Sequence, residues 1–141
     1  MRMEKSKFSW DSPRMIKIEI NMSWSDWFDW ESLEKGKIEL PGNSGVYEVR
    51  SNNLNECYDI CMVENIKEGI TKGLILGKMP NSTRRMMIKD GINLKELKVR
   101  WCECENSPAA LEEYLHIAYI VKFNKLPKYV NHTSFSFYKK K

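Results

Sequence analysis

The sequence predicts an α/β domain built on a small, mostly antiparallel, three-stranded sheet flanked by helices. Three observations predict it. First, two segments of alternating polarity, Val46-Tyr47-Glu48-Val49-Arg50 and Cys57-Tyr58-Asp59-Ile60-Cys61-Met62-Val63, are separated by the polar run of residues 51–56, a hairpin signature. Second, a strand-like run, Leu97-Lys98-Val99-Arg100-Trp101-Cys102-Glu103-Cys104, follows two helical stretches. Third, a long helix opens at Ser107-Pro108, where serine caps and proline fits the first turn. The chain has 141 residues, 42% hydrophobic and 30% charged, which suits one globular unit. At that length about two-thirds of the unfolded surface can be buried without a disulfide or metal staple.

In chain order, residues 1–12 read as a loose start and residues 15–20 as a strand of alternating polarity. Trp24, Trp27 and Trp30 recur at helical spacing after Ser23 and Ser25, either of which can cap, so residues 23–30 read as a helix. These tryptophans are expected to close one side of the core rather than to stack bases. Leu40-Pro41-Gly42-Asn43-Ser44-Gly45 is a turn leading into the hairpin. Glu64 or Asn65 opens a helix that lasts to about Leu76, with Ile66, Ile70 and Leu74 as its apolar stripe. Glycines fall at 69, 73 and 77 on this segment. Gly77 suits a C-terminal cap. Gly69 and Gly73 imply close approach of another backbone or a bare patch, since an interior glycine costs about 1 kcal/mol against alanine. Pro80-Asn81-Ser82 breaks the chain, and Thr83–Lys89 reads as a second helix ended by Asp90-Gly91. In the last helix Leu111, Tyr114, Leu115, Ala118, Ile120 and Val121 are the expected apolar face, and Asn124 and Pro127 end it.

The formal net charge of +4 permits a nucleic-acid partner without requiring one. Basic residues gather in residues 67–78, at Arg84-Arg85-Lys89 and in Lys139-Lys140-Lys141; taken alone, each cluster reads as a solvated face. No apolar run approaches the ~20 residues of a membrane span, and no apolar core follows the basic N-terminus. A cytoplasmic location is therefore expected. Cys57, Cys61, Cys102 and Cys104 fall in strand-like segments. Residues four apart on a strand are about 13 Å apart, too far to share one tetrahedral ion, so reduced core thiols are preferred to zinc. Glu112 and His116 stand four apart on a helix, a spacing that can bind metal, although a surface histidine is the expected role of His116.

Taken together, several of these residues resemble the motifs of the GIY-YIG nuclease family. Gly45-Val46-Tyr47 resembles the first element, and Asp59-Ile60-Cys61 falls where the second should lie. Val63-Glu64-Asn65-Ile66 resembles the entry to the family's catalytic helix. Ala110-Leu111-Glu112-Glu113-Tyr114-Leu115-His116 is similar to the helix carrying the metal ligand, and Pro127-Lys128-Tyr129-Val130-Asn131 to the closing segment. The resemblance implies residues 40–133 as the domain, with residues 1–39 packed on it and residues 134–141 as a basic tail. It further implies one Mg²⁺ or Mn²⁺ held by Glu112 (Glu113 in the competing register), Tyr47 assisting a water nucleophile, and Asn131 as the closing asparagine. Three departures stand out. The second tyrosine position holds Asp59, unless Tyr58 substitutes through a shifted register, the glycine that closes the second element is Cys61, and the catalytic arginine position holds Gly69. Loss of one such charge stabiliser typically slows catalysis by about 10²–10³-fold. Lys72 is the nearest stand-in, and Lys67, Arg84 and Arg85 are others. Lys67, Lys72, Lys78, Arg84 and Arg85 are the candidate DNA contacts. The expected function is a metal-dependent DNA endonuclease with an altered site. The alternatives are an inactive DNA-binding protein of the same fold, or an assembly domain that forms a homodimer or binds a protein partner.

Overall fold

The structure, a computed structural model, describes residues 4–11 and 17–130, with side chains from Met22 to Val130. The N-terminal part holds β1 (Glu4–Asp11), β2 (Lys17–Trp24), β3 (Phe28–Asp29) and α1 (Trp30–Glu34). The hairpin β4 (Gly45–Ser51) and β5 (Cys57–Val63) follows. Next comes α2 (Ile66–Glu68), which runs on as a π-helix (Gly69–Leu76). Then come α3 (Thr83–Lys89), a 3-10 turn (Leu94–Glu96), β6 (Leu97–Glu103) and α4 (Pro108–Phe123).

The result is a small α/β fold with an antiparallel sheet in the order β1-β2-β6-β4-β5; the two-residue β3 pairs with β6 off this path. The hairpin and the third strand form as expected, with β4 in the middle. The sheet is larger than expected because Glu4–Asp11, read as a loose start, pairs along its whole length with β2. β2 itself runs to Trp24, beyond the segment predicted as a strand. A single sheet therefore crosses the expected boundary at residue 39.

The helix expected over residues 23–30 is also corrected. Trp24 is extended and pairs with Cys102, and α1 begins only at Trp30. The side chains find partners here that helical spacing does not encode. Ser25 N–H donates to Trp101 O at 2.9 Å, and Ser25 Oγ accepts from Trp101 N–H at 3.0 Å. The Arg100 guanidinium lies 4.0 Å from the Trp24 ring and 4.5 Å from the Trp27 ring. Its Nε donates to Glu48 Oε1 at 2.8 Å, while Arg50 Nε donates to Oε2 at 2.8 Å. A buried carboxylate is thus held between two arginines, one of them clasped by indoles, which satisfies a charge that would otherwise be costly to bury.

Two cores sit on opposite faces of the sheet. On one, Trp30, Leu33, Ile66, Ile70, Leu74 and Met87 from α1, α2, the π-helix and α3 cover Tyr47, Val49, Val99 and Trp101. On the other, Leu111 and Tyr119 of α4 cover Val46, Cys57, Ile60, Cys102 and Cys104, with Met22 and Trp24 at the margin. The tryptophans are therefore divided between both faces. A register shift between Val49 and Arg50 puts Cys57 and Cys61 in different cores, which separates them more firmly than their spacing does. In α4 the buried residues are Leu111, His116 and Tyr119, whereas Ala118 is exposed and Val121 is 81% exposed. The helix turns its Glu112–His116 side toward the sheet, so the expected apolar face is only partly the packed one.

Two glycines are required by contact. A Cβ on Gly45 would stand 2.1 Å from Cys102 O, and one on Gly69 would stand 2.5 Å from Val63 Cγ1. Gly73 has nothing within 4 Å, and Gly77 closes the π-helix at φ +48°, its N–H donating to Lys72 O. Gly69→Ala is expected to destabilise the fold by about 1–3 kcal/mol through overpacking. Gly73→Ala is expected to stabilise it by about 0.5–1 kcal/mol. Urea titration of the two variants checks both, with opposite shifts in midpoint.

Candidate functional site

β5 is the edge of the sheet, and its outward backbone groups need partners. Four are supplied in sequence. Lys128 N–H donates to Cys57 O at 3.2 Å, and Tyr129 N–H donates to Tyr58 O at 2.8 Å. His116 Nε2, carrying the proton, donates to Ile60 O at 2.9 Å. Glu112 Oε2 accepts from Met62 N–H at 2.6 Å. Glu112 and His116 lie one turn apart on α4, so one helix face replaces the missing neighbouring strand. His116 is therefore a buried structural residue, correcting the expected surface position.

On the other side of the sheet, β4 presents Tyr47 toward α3. Tyr47 is 6% exposed, and its partner in register is Cys61. Its hydroxyl donates to Asp59 Oδ2 at 3.4 Å. Thr83, the first residue of α3, donates its hydroxyl to the same oxygen at 3.0 Å. Burial and then the neighbouring Asp59 charge hold the Tyr47 phenol well above its ordinary value. Burial raises the Asp59 carboxyl to about 6; the Thr83 and Tyr47 hydrogen bonds oppose the rise and the Glu112 charge adds to it. Burial likewise pushes the Cys61 thiol up to about 12, making it a poor nucleophile at neutral pH.

Tyr47 and Asp59 thus meet on one face of the sheet, and Glu112 meets the outer edge of β5. The remaining expected residues lie elsewhere. Gly69 packs on Val63, which fills the space a side chain would need. Lys72 is 73% exposed and pairs with Glu68 at 3.7 Å, also at the surface. Lys67, Lys78 and Arg85 are exposed. Arg84 is half-buried against Gly77, with its Nε buried and without a hydrogen-bond partner. Asn131 and Lys139-Lys140-Lys141 lie outside the described residues. No sequence signal marks Thr83 as a site residue; Val63 falls in the motif-like run of residues 63–66, but its contact with Gly69 does not follow from it. His116 was marked by its spacing from Glu112, but as a ligand. Among the described residues, no group of three or more His, Cys, Asp or Glu side chains is placed to hold a metal ion. Likewise, no helix among them is long and apolar enough to cross a membrane. Comparisons with protein-family models, curated proteins and solved structures find no match.

Asp59 generates a pH prediction. Its proton is held more tightly in the folded chain than the ordinary value of 3.8, so stability falls as pH rises from about 4 to 6 and stays lowered above that. Asp59→Asn is expected to stabilise the fold by about 2–3 kcal/mol at pH 7–8 and to have little effect below pH 4. Denaturant titration across pH 4–8 measures the difference.

Proposed function

We propose that this chain is a DNA-binding domain of GIY-YIG-like architecture in which the chemistry of phosphodiester cleavage is lost. The observation that carries the proposal is the segregation of charge. The segment that holds α2, the π-helix and α3 carries Lys67, Lys72, Lys78, Arg84, Arg85 and Lys89 against Glu64, Glu68 and Asp90, a surplus of three in a chain whose formal net charge is +4. Five of the six cations are exposed, and these helices cover one side of the sheet. A polyanion is attracted to such a face and releases counterions on binding.

Three features support the loss of catalysis. Hydrolysis needs an activated water and a preorganised cation on the phosphoryl oxygens. Tyr47 is sealed in the core with its hydroxyl committed to Asp59. Position 69, where the resemblance expects arginine, has neither a side chain nor room for one. Glu112 serves the backbone of β5 through one of its oxygens. These residues do not fit a metal-assisted cleavage centre, and Asp59 adds negative charge where a phosphate would need the opposite. The arrangement of β4 between β5 and β6, with helices on both faces, supports the architectural part of the proposal.

Fluorescence anisotropy with labelled duplex and single-stranded DNA at several salt concentrations tests the binding. Affinity is expected to fall linearly on a log–log plot. Lys78→Ala and Arg85→Ala should each reduce the slope by about 1. Binding that is absent at low salt, or that ignores salt, removes the proposal. A parallel incubation of supercoiled plasmid with Mg²⁺ or Mn²⁺ is expected to show no nicking. Nicking that disappears in Glu112→Ala would establish the endonuclease instead.

A further inference from the structure

A cleft of about 280 Å³ lies between the β4–β5 turn and the 3-10 turn before β6. Tyr58 and Ile92 give it apolar surface, and Asn52, Asn53, Asn93 and Glu96 give it polar surface. Two of the carboxamides are oriented by the backbone. Asn53 Oδ1 accepts from Ser51 Oγ at 2.7 Å and from Asn55 N–H at 3.0 Å. Asn93 Oδ1 accepts from Lys95 N–H at 3.0 Å. With their oxygens engaged, both side chains offer amino donors to a ligand. Glu96, when ionised, offers acceptors only. Glu96 and Tyr58 line the same cleft.

Two amide donors, a carboxylate acceptor and an aromatic ring therefore surround a small space. This combination suits a planar heterocycle with both donors and acceptors on its edges. Glu96 repels phosphate, so a nucleotide would enter base first. The cleft also adjoins the cationic layer. Ile92 N–H donates to Met87 O of α3 at 2.9 Å. Tyr129 OH donates to Asp90 at the end of α3 at 2.6 Å, and the Tyr129 ring lies 6.2 Å from that of Tyr58.

We propose that this cleft takes one unpaired nucleobase, guanine in preference to the others, from a single strand lying along the cationic layer. Guanine presents two N–H donors on one edge, which a single carboxylate accepts together. It also presents O6 and N7 acceptors for the asparagine amino groups. Tyr58 supplies the stacking surface. The inference rests on DNA binding by the α2–α3 layer.

The test measures binding of the full chain to short labelled abasic strands carrying one central guanine, adenine, cytosine or thymine, beside the wholly abasic strand. The guanine strand is expected to bind about tenfold tighter than the abasic strand. Glu96→Gln should bring guanine down to the level of adenine, leaving the salt dependence unchanged. Equal, salt-sensitive binding of the guanine and abasic strands overturns the cleft and leaves the DNA-binding proposal standing. A guanine preference that survives Glu96→Gln also overturns it. If no strand binds at low salt, both proposals fall together.

Discussion

The outward edge of β5 sets the terms for much of this molecule. An unpaired strand edge buried beside a helix leaves donors and acceptors without partners, and each such group costs about 1–3 kcal/mol. Here Glu112, His116 and the Tyr129 backbone meet the edge at successive even-numbered residues of the strand. That demand fixes the rotation of α4 about its own axis. It explains why Val121 faces solvent while a histidine is buried. It also commits one Glu112 oxygen to the backbone of β5. The same interaction therefore completes the fold and constrains its chemistry.

The opposite face has the reverse problem. Asp59 is buried with hydroxyl partners and no cation among those partners, next to a phenol and a thiol that burial keeps protonated. Its hydrogen bonds anchor the start of α3 to β5, so the residue that is uncomfortable in the core also positions the cationic layer. Further along β5, Val63 fills the space beside Gly69 with hydrocarbon.

The parts of the fold legible in the sequence were those with local causes. The hairpin, the third strand, α3 and the start of α4 followed from alternation, turn residues and caps. The N-terminal ribbon was missed because β1 becomes a strand by pairing with β2, and its own polarity pattern is weak. The tryptophan segment misled because Trp24, Trp27 and Trp30 mimic helical spacing. What separates them in space is long-range: Arg100 between two indoles, and Ser25 against Trp101. Tyr47 and Glu112 were picked out by residue type; in the fold Tyr47 touches Asp59, and Glu112 engages the edge of β5. The commitments of each were not legible, because a hydrogen bond to Met62 or contact with Val63 depends on packing between distant segments.

Gly45, Val46 and Tyr47 are each fixed by something other than catalysis. The glycine lets Cys102 O approach, the valine is fully enclosed, and the tyrosine fills the core. Replacing any of the three would therefore damage the sheet, whatever the protein does. Their presence in a sequence testifies to how this strand is packed, and evidence for function has to be sought at positions that packing leaves free to vary.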